Sequence, residues 1–167
     1  MAKAQPRPDT FIFHIERTFN VSRERMWKAW TDPEQVKQWF GPKDAVILFN
    51  NIDLRPGGAS SYGMEFGGQK MFGQWAYLEI KAPEKIVSIV SFLDEDGNII
   101  SHPMSPHWPK KVYSVVTFTE VDGKTNISVD WSAYEASEIE RKTFEEGADG
   151  MKQGWGGTFE QLETFFQ

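Results

Sequence analysis

A chain of 167 residues with 40% hydrophobic and 25% charged residues has the size and composition of one globular domain, which can bury a core without disulfides or metals. Its formal charge of -6 argues against a nucleic-acid partner, and the absence of Cys excludes disulfides, thiol nucleophiles and Cys-bearing zinc sites. Because the sequence has neither a signal-peptide pattern nor a run of about 18 apolar residues, we predict a cytoplasmic protein without a membrane span.

Aromatic residues are frequent in this chain. They make up 14% of it, with seven Trp and thirteen Phe. Aromatic side chains bring a large apolar area per residue. The surplus therefore predicts either a dense aromatic core or aromatic walls around a cavity, and the composition leaves both open.

The N-terminal part divides into a tail and a strand. We predict a flexible tail at residues 1–9 and a single domain at 10–167. Phe11, Phe13 and Ile15 then alternate with other residues, which is the period of a strand with one buried face.

Two short helices follow this strand. Ser22 is placed to cap the first of them, because its hydroxyl can accept a hydrogen bond from a backbone N–H of the first turn. Asp32 can cap the second, and Pro33 suits its first helical position. Gly41, followed by Pro42, ends the second helix.

The middle of the chain reads as an antiparallel meander. Short segments rich in Val, Ile, Phe and Tyr alternate with turn signals such as Gly67-Gly68 and Asp122-Gly123. The predicted strands lie near residues 45–54, 59–66, 70–80, 85–93, 112–120 and 125–132.

Two further segments complete the chain. Residues 94–111 hold three Pro and little periodicity, and predict a long connection that is either a solvated loop or a lid. From about Ser137 the pattern is helical, and its glycines before about residue 148 predict either one helix or a short helix followed by a long one.

The combination of sequence blocks resembles a known family. FNVSRERMWKAWTDPEQVKQWFGP, DLRPGG, WAYLEIKAPEKIV, VTFTEVDGKTNISV and GMKQGWGGTFEQLETFF are similar, in order and spacing, to the activator of heat-shock-protein-90 ATPase homologue-like family of the SRPBCC or START-like superfamily, which includes the birch pollen allergen. The resemblance implies an α+β helix-grip fold: a seven-stranded curved antiparallel sheet wraps a long C-terminal helix, with two short helices between strands 1 and 2. It also implies a hydrophobic cavity between the sheet and that helix.

The resemblance favours the face carrying Trp75, Tyr77 and Glu79 as the concave one, since alternate strand residues share a face. For Met64, Phe66 and Trp131 the direction stays open. The candidate ligand-binding residues are Arg17, Trp39, Phe40, Met64, Phe66, Trp75, Tyr77, Glu79, Val116, Phe118, Trp131, Met151, Trp155 and Phe159.

Arg17 and Glu79 are the charged members of this set. A charge among apolar neighbours must be paired or must serve a ligand, so both residues are either partners in salt bridges or ligand contacts. Glu79 is also the candidate catalytic base. The sequence contains no nucleophile or dinucleotide motif, and the spacing of its three His offers no metal site, so we predict no cofactor and no metal.

Three functions remain open at this point. The first is non-catalytic binding of a small hydrophobic or amphipathic ligand in the cavity, with Arg17, Tyr77 and Glu79 orienting it. The second is a co-chaperone-type module that binds a protein partner, such as a chaperone, on its outer surface. The third is an enzyme of the cyclase or hydrolase type that uses Glu79 in the same cavity. The sequence does not fix the oligomeric state.

Overall fold

The computed structural model describes residues 10–167, so the tail predicted for residues 1–9 lies outside the described residues. The strands are β1 Phe13–Phe19, β2 Val46–Ile52, β3 Ala59–Phe66, β4 Gln69–Lys81, β5 Lys85–Leu93, β6 Ile99–Ile100, β7 Val112–Val121 and β8 Lys124–Ala133. The helices are α1 Arg23–Thr31, α2 Pro33–Trp39, α3 Glu138–Glu146 and α4 Ala148–Phe165.

The strands form one curved, open antiparallel sheet in the order β1-β8-β7-β5-β4-β3-β2, and the two-residue β6 pairs with β5. Helices α1 and α2 connect β1 to β2, and α4 closes the chain. The predicted α+β helix-grip fold is therefore confirmed. The difference is β6, which lies inside the 94–111 connection and is too short to leave a periodic pattern.

The predicted caps hold α1 and α2 in place. The Arg25 backbone N–H donates to Ser22 Oγ at 3.3 Å, and the Glu34 N–H donates to Asp32 Oδ1 at 3.0 Å. A side chain then ties the two helices together, because the indole Nε1 of Trp39 donates to the carbonyl oxygen of Ala29 at 2.9 Å. The pair packs against the sheet, with α1 on β7 and β8 and with α2 on β2.

The C-terminal helical region is broken at Gly147 into α3 and α4, which is the second of the two predicted alternatives. Trp108, from the 94–111 connection, packs against this break. Its ring centroid lies 5.3 Å from that of Phe144, and its Cζ3 atom would lie 3.0 Å from a Cβ built on Gly147. The connection is therefore anchored at the helix junction. In the described part of the chain no helix is both long and apolar enough to span a bilayer.

The inner face of the sheet alternates large and small residues. Trp131 on β8 is paired in register with Ser114 on β7, which is paired with Ser88 on β5, and Ser88 is paired with Tyr77 on β4. The indole Nε1 of Trp131 donates to Ser114 Oγ at 2.9 Å. The small serines leave room above the sheet, and aromatic rings occupy much of it.

Candidate functional site

A cavity of about 50 Å³ lies between the sheet and helices α1 and α2. Four residues form its apolar wall on the helix side: Trp30 on α1, Val36 and Trp39 on α2, and Phe40 immediately after α2. The strands supply the remaining lining residues, which are Asn50, Ile52, Ser60, Tyr62, Trp75, Tyr77, Ile86 and Val116. Of the predicted residues, Trp39, Phe40, Trp75, Tyr77 and Val116 line this space.

The space between the sheet and α4 is filled by aromatic rings. The ring of Trp155 on α4 stacks on Trp30 at a centroid distance of 6.1 Å and an interplanar angle of 10°. It also contacts Trp131 and Phe159, each at 5.5 Å, and Trp75 at 6.4 Å. The prediction of a cavity between the sheet and the C-terminal helix is therefore corrected: the open space is on the α1 and α2 side.

The other predicted residues of this region belong to the packed core rather than to the cavity lining. Phe118 and Phe159 are each 1% exposed. Half-buried Trp131 and Met151 pack against the same core. Their apolar character was informative about burial, but not about which of them would border a void.

A β-bulge after Tyr77 places Glu79 on the opposite face of the sheet. Tyr77 is paired with Ser88, but Glu79 is paired with Val87, next to the cavity-lining Ile86 and therefore on the other face. The Nζ of Lys85 lies 2.7 Å from Glu79 Oε2. The predicted sharing of one face by Trp75, Tyr77 and Glu79 is wrong for Glu79, because the extra residue of the bulge reverses the alternation.

Arg17 points inward on β1 but lies away from the cavity. Its Nη1 is 3.6 Å from Glu163 Oε2, and its guanidinium carbon lies 5.7 Å from the ring centroid of Phe159. Of the two alternatives for Arg17, the structure therefore contains the salt bridge. Met64 is buried on β3, whereas Phe66 at the end of β3 is 45% exposed. Neither residue lines the cavity.

Sequence reasoning missed part of the lining, although some of it carried a signal. Ser60 and Tyr62 share the strand face of Met64, and strand alternation would have found them once that face was known to be concave. Trp30 follows the fully buried Ala29 on α1 and belongs to the inner side of that helix. Asn50 and Ile52 on β2 carried no such signal, because a register shift between Ile47 and Phe49 reverses the alternation there.

The polar part of the lining is uncharged. Burial raises the pKa of both Tyr62 and Tyr77 to about 12; for Tyr77 the nearby negative charge of Asp53 adds to this and a hydrogen bond with Ser60 opposes it. The lining contains no Asp, Glu, Lys, Arg or His. Within residues 10–167, no group of three or more His, Asp or Glu side chains could hold a metal ion.

The two raised tyrosine pKa values predict a loss of stability in alkali. The folded state holds these two protons more tightly than the unfolded state does. The free energy of unfolding is therefore unaffected by ionisation of the two phenols below pH 10, and it falls as the pH rises from 10 towards 12, because the unfolded chain ionises first. Each phenol then contributes a loss of up to about 1.4 kcal/mol per pH unit. Urea unfolding at pH 9 and pH 11.5 measures the change in the free energy of unfolding. Between these two pH values the double variant Tyr62→Phe/Tyr77→Phe should lose less stability than the parent protein. An equal loss in both proteins would contradict the assignment.

The chain is similar to known proteins both in sequence and in fold. The sequence model described as "Activator of Hsp90 ATPase homolog 1-like protein" matches residues 20–167. A comparison with curated proteins finds no match. A crystal structure of a protein from Mycobacterium smegmatis is similar at 26% identity and a TM-score of 0.75, covering 99% of this chain and 96% of that one.

Two NMR structures share the fold at lower identity. A protein from Arthrobacter aurescens has 23% identity and a TM-score of 0.75, with 96% of this chain and 88% of that chain covered. The AHSA1-like protein from Aeromonas hydrophila has 18% identity and a TM-score of 0.66, with 93% and 91% covered. At these identities the similarity shows the fold alone.

Proposed function

Since the chain belongs to the Activator of Hsp90 ATPase homolog 1-like family, we propose that it binds a small hydrophobic or amphipathic molecule in the cavity beneath α1 and α2. The observation that carries this proposal is the lining itself: aromatic and aliphatic walls with a few polar groups on one side, as in most small-molecule sites. Glu79 has no role in this proposal, because it lies on the other face of the sheet.

The volume of the cavity limits the size of the ligand that can enter it. An apolar cavity of about 150 Å³ accommodates benzene, so the 50 Å³ present here is too small for a whole ring without movement of the wall. Phe40 and Tyr62 are half-buried and contact each other at a centroid distance of 4.9 Å. We expect displacement of these two rings to supply the additional space.

Filling the cavity tests the proposal. Val116 on β7 lines the cavity, whereas the preceding Val115 is paired with Val87 on the opposite face of the sheet. We expect Val116→Phe to weaken binding of toluene, used as the probe, by at least about 10-fold, and Val115→Phe to leave it unchanged. Isothermal titration calorimetry measures both. If the larger ring unfolds the domain, Val116→Leu tests the same position with a smaller increase in volume.

Native mass spectrometry of the protein purified from its own host complements this test. A stoichiometric adduct released on mild denaturation would identify the natural ligand. If no adduct is found, and if a panel of charged and uncharged single-ring compounds produces neither heat nor thermal shift, the ligand-binding function is wrong.

A second candidate function is protein binding at the edge of the sheet. Strand β2 is the last strand in the sheet order, and within the described part of the chain it pairs with β3 alone. Its side chains Val46, Leu48 and Phe49 are 60%, 44% and 42% exposed. Exposed apolar groups along an edge strand are typical of interaction sites. The family description names an activator of the Hsp90 ATPase, so a chaperone of that type is the partner to test.

The second function has its own discriminating variant. We expect Leu48→Lys to abolish capture of an Hsp90-type chaperone in a pull-down, whereas Val121→Lys, at an equally exposed apolar position on β7, should have no effect. Val116→Phe should leave this capture intact. Absence of capture by the parent protein would remove this candidate.

A further inference from the structure

The absence of charge in the cavity restricts the class of ligand. Neither a carboxylate nor a cation of the protein lines it, so an ion within it would lose its hydration without gaining a partner. The cavity is therefore unfavourable to ionised ligands of either sign.

The polar groups at the wall are neutral, and they differ in what they can do. The hydroxyls of Ser60, Tyr62 and Tyr77 both donate and accept hydrogen bonds, whereas an indole N–H can only donate. Trp30 is the notable case, because its Nε1 is buried and has no hydrogen-bond partner among the described residues. The indoles of Trp39 and Trp131, by contrast, donate to Ala29 O and Ser114 Oγ.

An unpaired buried donor destabilises the folded state and requires an explanation. Trp30 both lines the cavity and carries this donor. A ligand with an acceptor atom would remove the cost on binding. A purely apolar ligand would leave the donor unpaired.

Given the function proposed above, on which this inference rests, we propose that the cavity selects a small, uncharged ring compound bearing a carbonyl or similar acceptor, and that Trp30 Nε1 donates a hydrogen bond to it. Trp30 is then the residue that distinguishes acceptor-bearing ligands from hydrocarbons. The uncharged wall excludes ionised analogues, which would lose their hydration there without gaining a partner.

Three probes of similar shape separate these effects: acetophenone has an acceptor and no charge, ethylbenzene has neither, and benzoate is ionised. By calorimetry at pH 7.5, we expect acetophenone to bind about 5- to 10-fold more tightly than ethylbenzene, which is the range of one hydrogen bond. Benzoate should bind at least about 100-fold more weakly than acetophenone.

A conservative variant assigns the acceptor contact to Trp30. Trp30→Phe keeps an aromatic ring but removes the N–H, and it should abolish the preference for acetophenone over ethylbenzene. Because the smaller ring enlarges the cavity for both probes, the ratio of the two affinities is the quantity to compare. Trp27→Phe is the matched control on the same helix, since Trp27 contacts Phe118 and does not line the cavity. It should preserve the preference.

The outcomes separate this inference from the function on which it rests. If acetophenone and ethylbenzene bind equally, or if benzoate binds as well as acetophenone, the selectivity is wrong and the binding function stands. If Trp30→Phe retains the full preference, Trp30 is not the donor. If none of the three probes binds, the ligand-binding function itself fails.

Discussion

Replacing Trp155 by alanine should lower the free energy of unfolding by about 3–5 kcal/mol, the range for removing a buried Trp side chain. Trp155 is 7% exposed and lies at the centre of the aromatic cluster. Its ring contacts Trp30, Trp75, Trp131 and Phe159, all within 6.4 Å between centroids. Alanine would therefore leave a cavity lined by rings that cannot collapse into it.

Urea unfolding, monitored by circular dichroism, measures this loss of free energy of unfolding. Trp27→Ala is the matched control, because Trp27 is half-buried and should cost less. The Trp155→Ala cavity should also join the space beside Trp30 and accommodate indole, which would restore part of the stability in proportion to its concentration. A loss below about 1 kcal/mol would mean that Trp155 does not hold the cluster together.

Introducing a single methyl group at Gly73 should destabilise the domain by about 1–3 kcal/mol, the usual cost of overpacking. A Cβ built on Gly73 would lie 2.6 Å from Tyr62 Cζ and would also meet the phenolic oxygen. In Gly73→Ala the Tyr62 ring must move, and because it lines the cavity, the affinity for single-ring probes should change as well.

A second glycine substitution serves as the matched control, and we expect it to raise the stability of the domain. Gly154 on α4 has no atom within 4 Å of a built Cβ, so Gly154→Ala should stabilise the helix by up to about 1 kcal/mol. Adding Tyr62→Phe to Gly73→Ala should recover part of the loss, since it removes the phenolic oxygen that the methyl group meets. Equal destabilisation by both glycine substitutions would contradict this account of Gly73.

The elements that local sequence determines could be predicted. The apolar alternation from Phe13 to Phe19 marked β1, and Ser22 and Asp32 marked the starts of two helices, because these signals depend on near neighbours in the chain. The fold required more, namely the order and spacing of the sequence blocks that resemble a family.

The site was less predictable because it depends on interruptions of regular geometry. The bulge after Tyr77 has no Gly or Pro to announce it, yet it moves Glu79 to the other face of the sheet. Trp155 has the helical spacing of a cavity-lining residue, and only the positions of neighbouring rings show that it fills the space. Hydrophobic patterning identifies what is buried but not where packing is incomplete.

The pairing of β1 with β8 has a consequence for how this domain acquires its structure. The first strand of the sheet meets the last, with Phe13 opposite Trp131 and Phe19 opposite Thr125. During synthesis β1 therefore lacks its partner until nearly the entire sheet has been made, and pairing between such distant segments slows folding. The apolar side of β1 remains without its native cover in the growing chain, which is a state prone to aggregation and suited to recognition by a general chaperone.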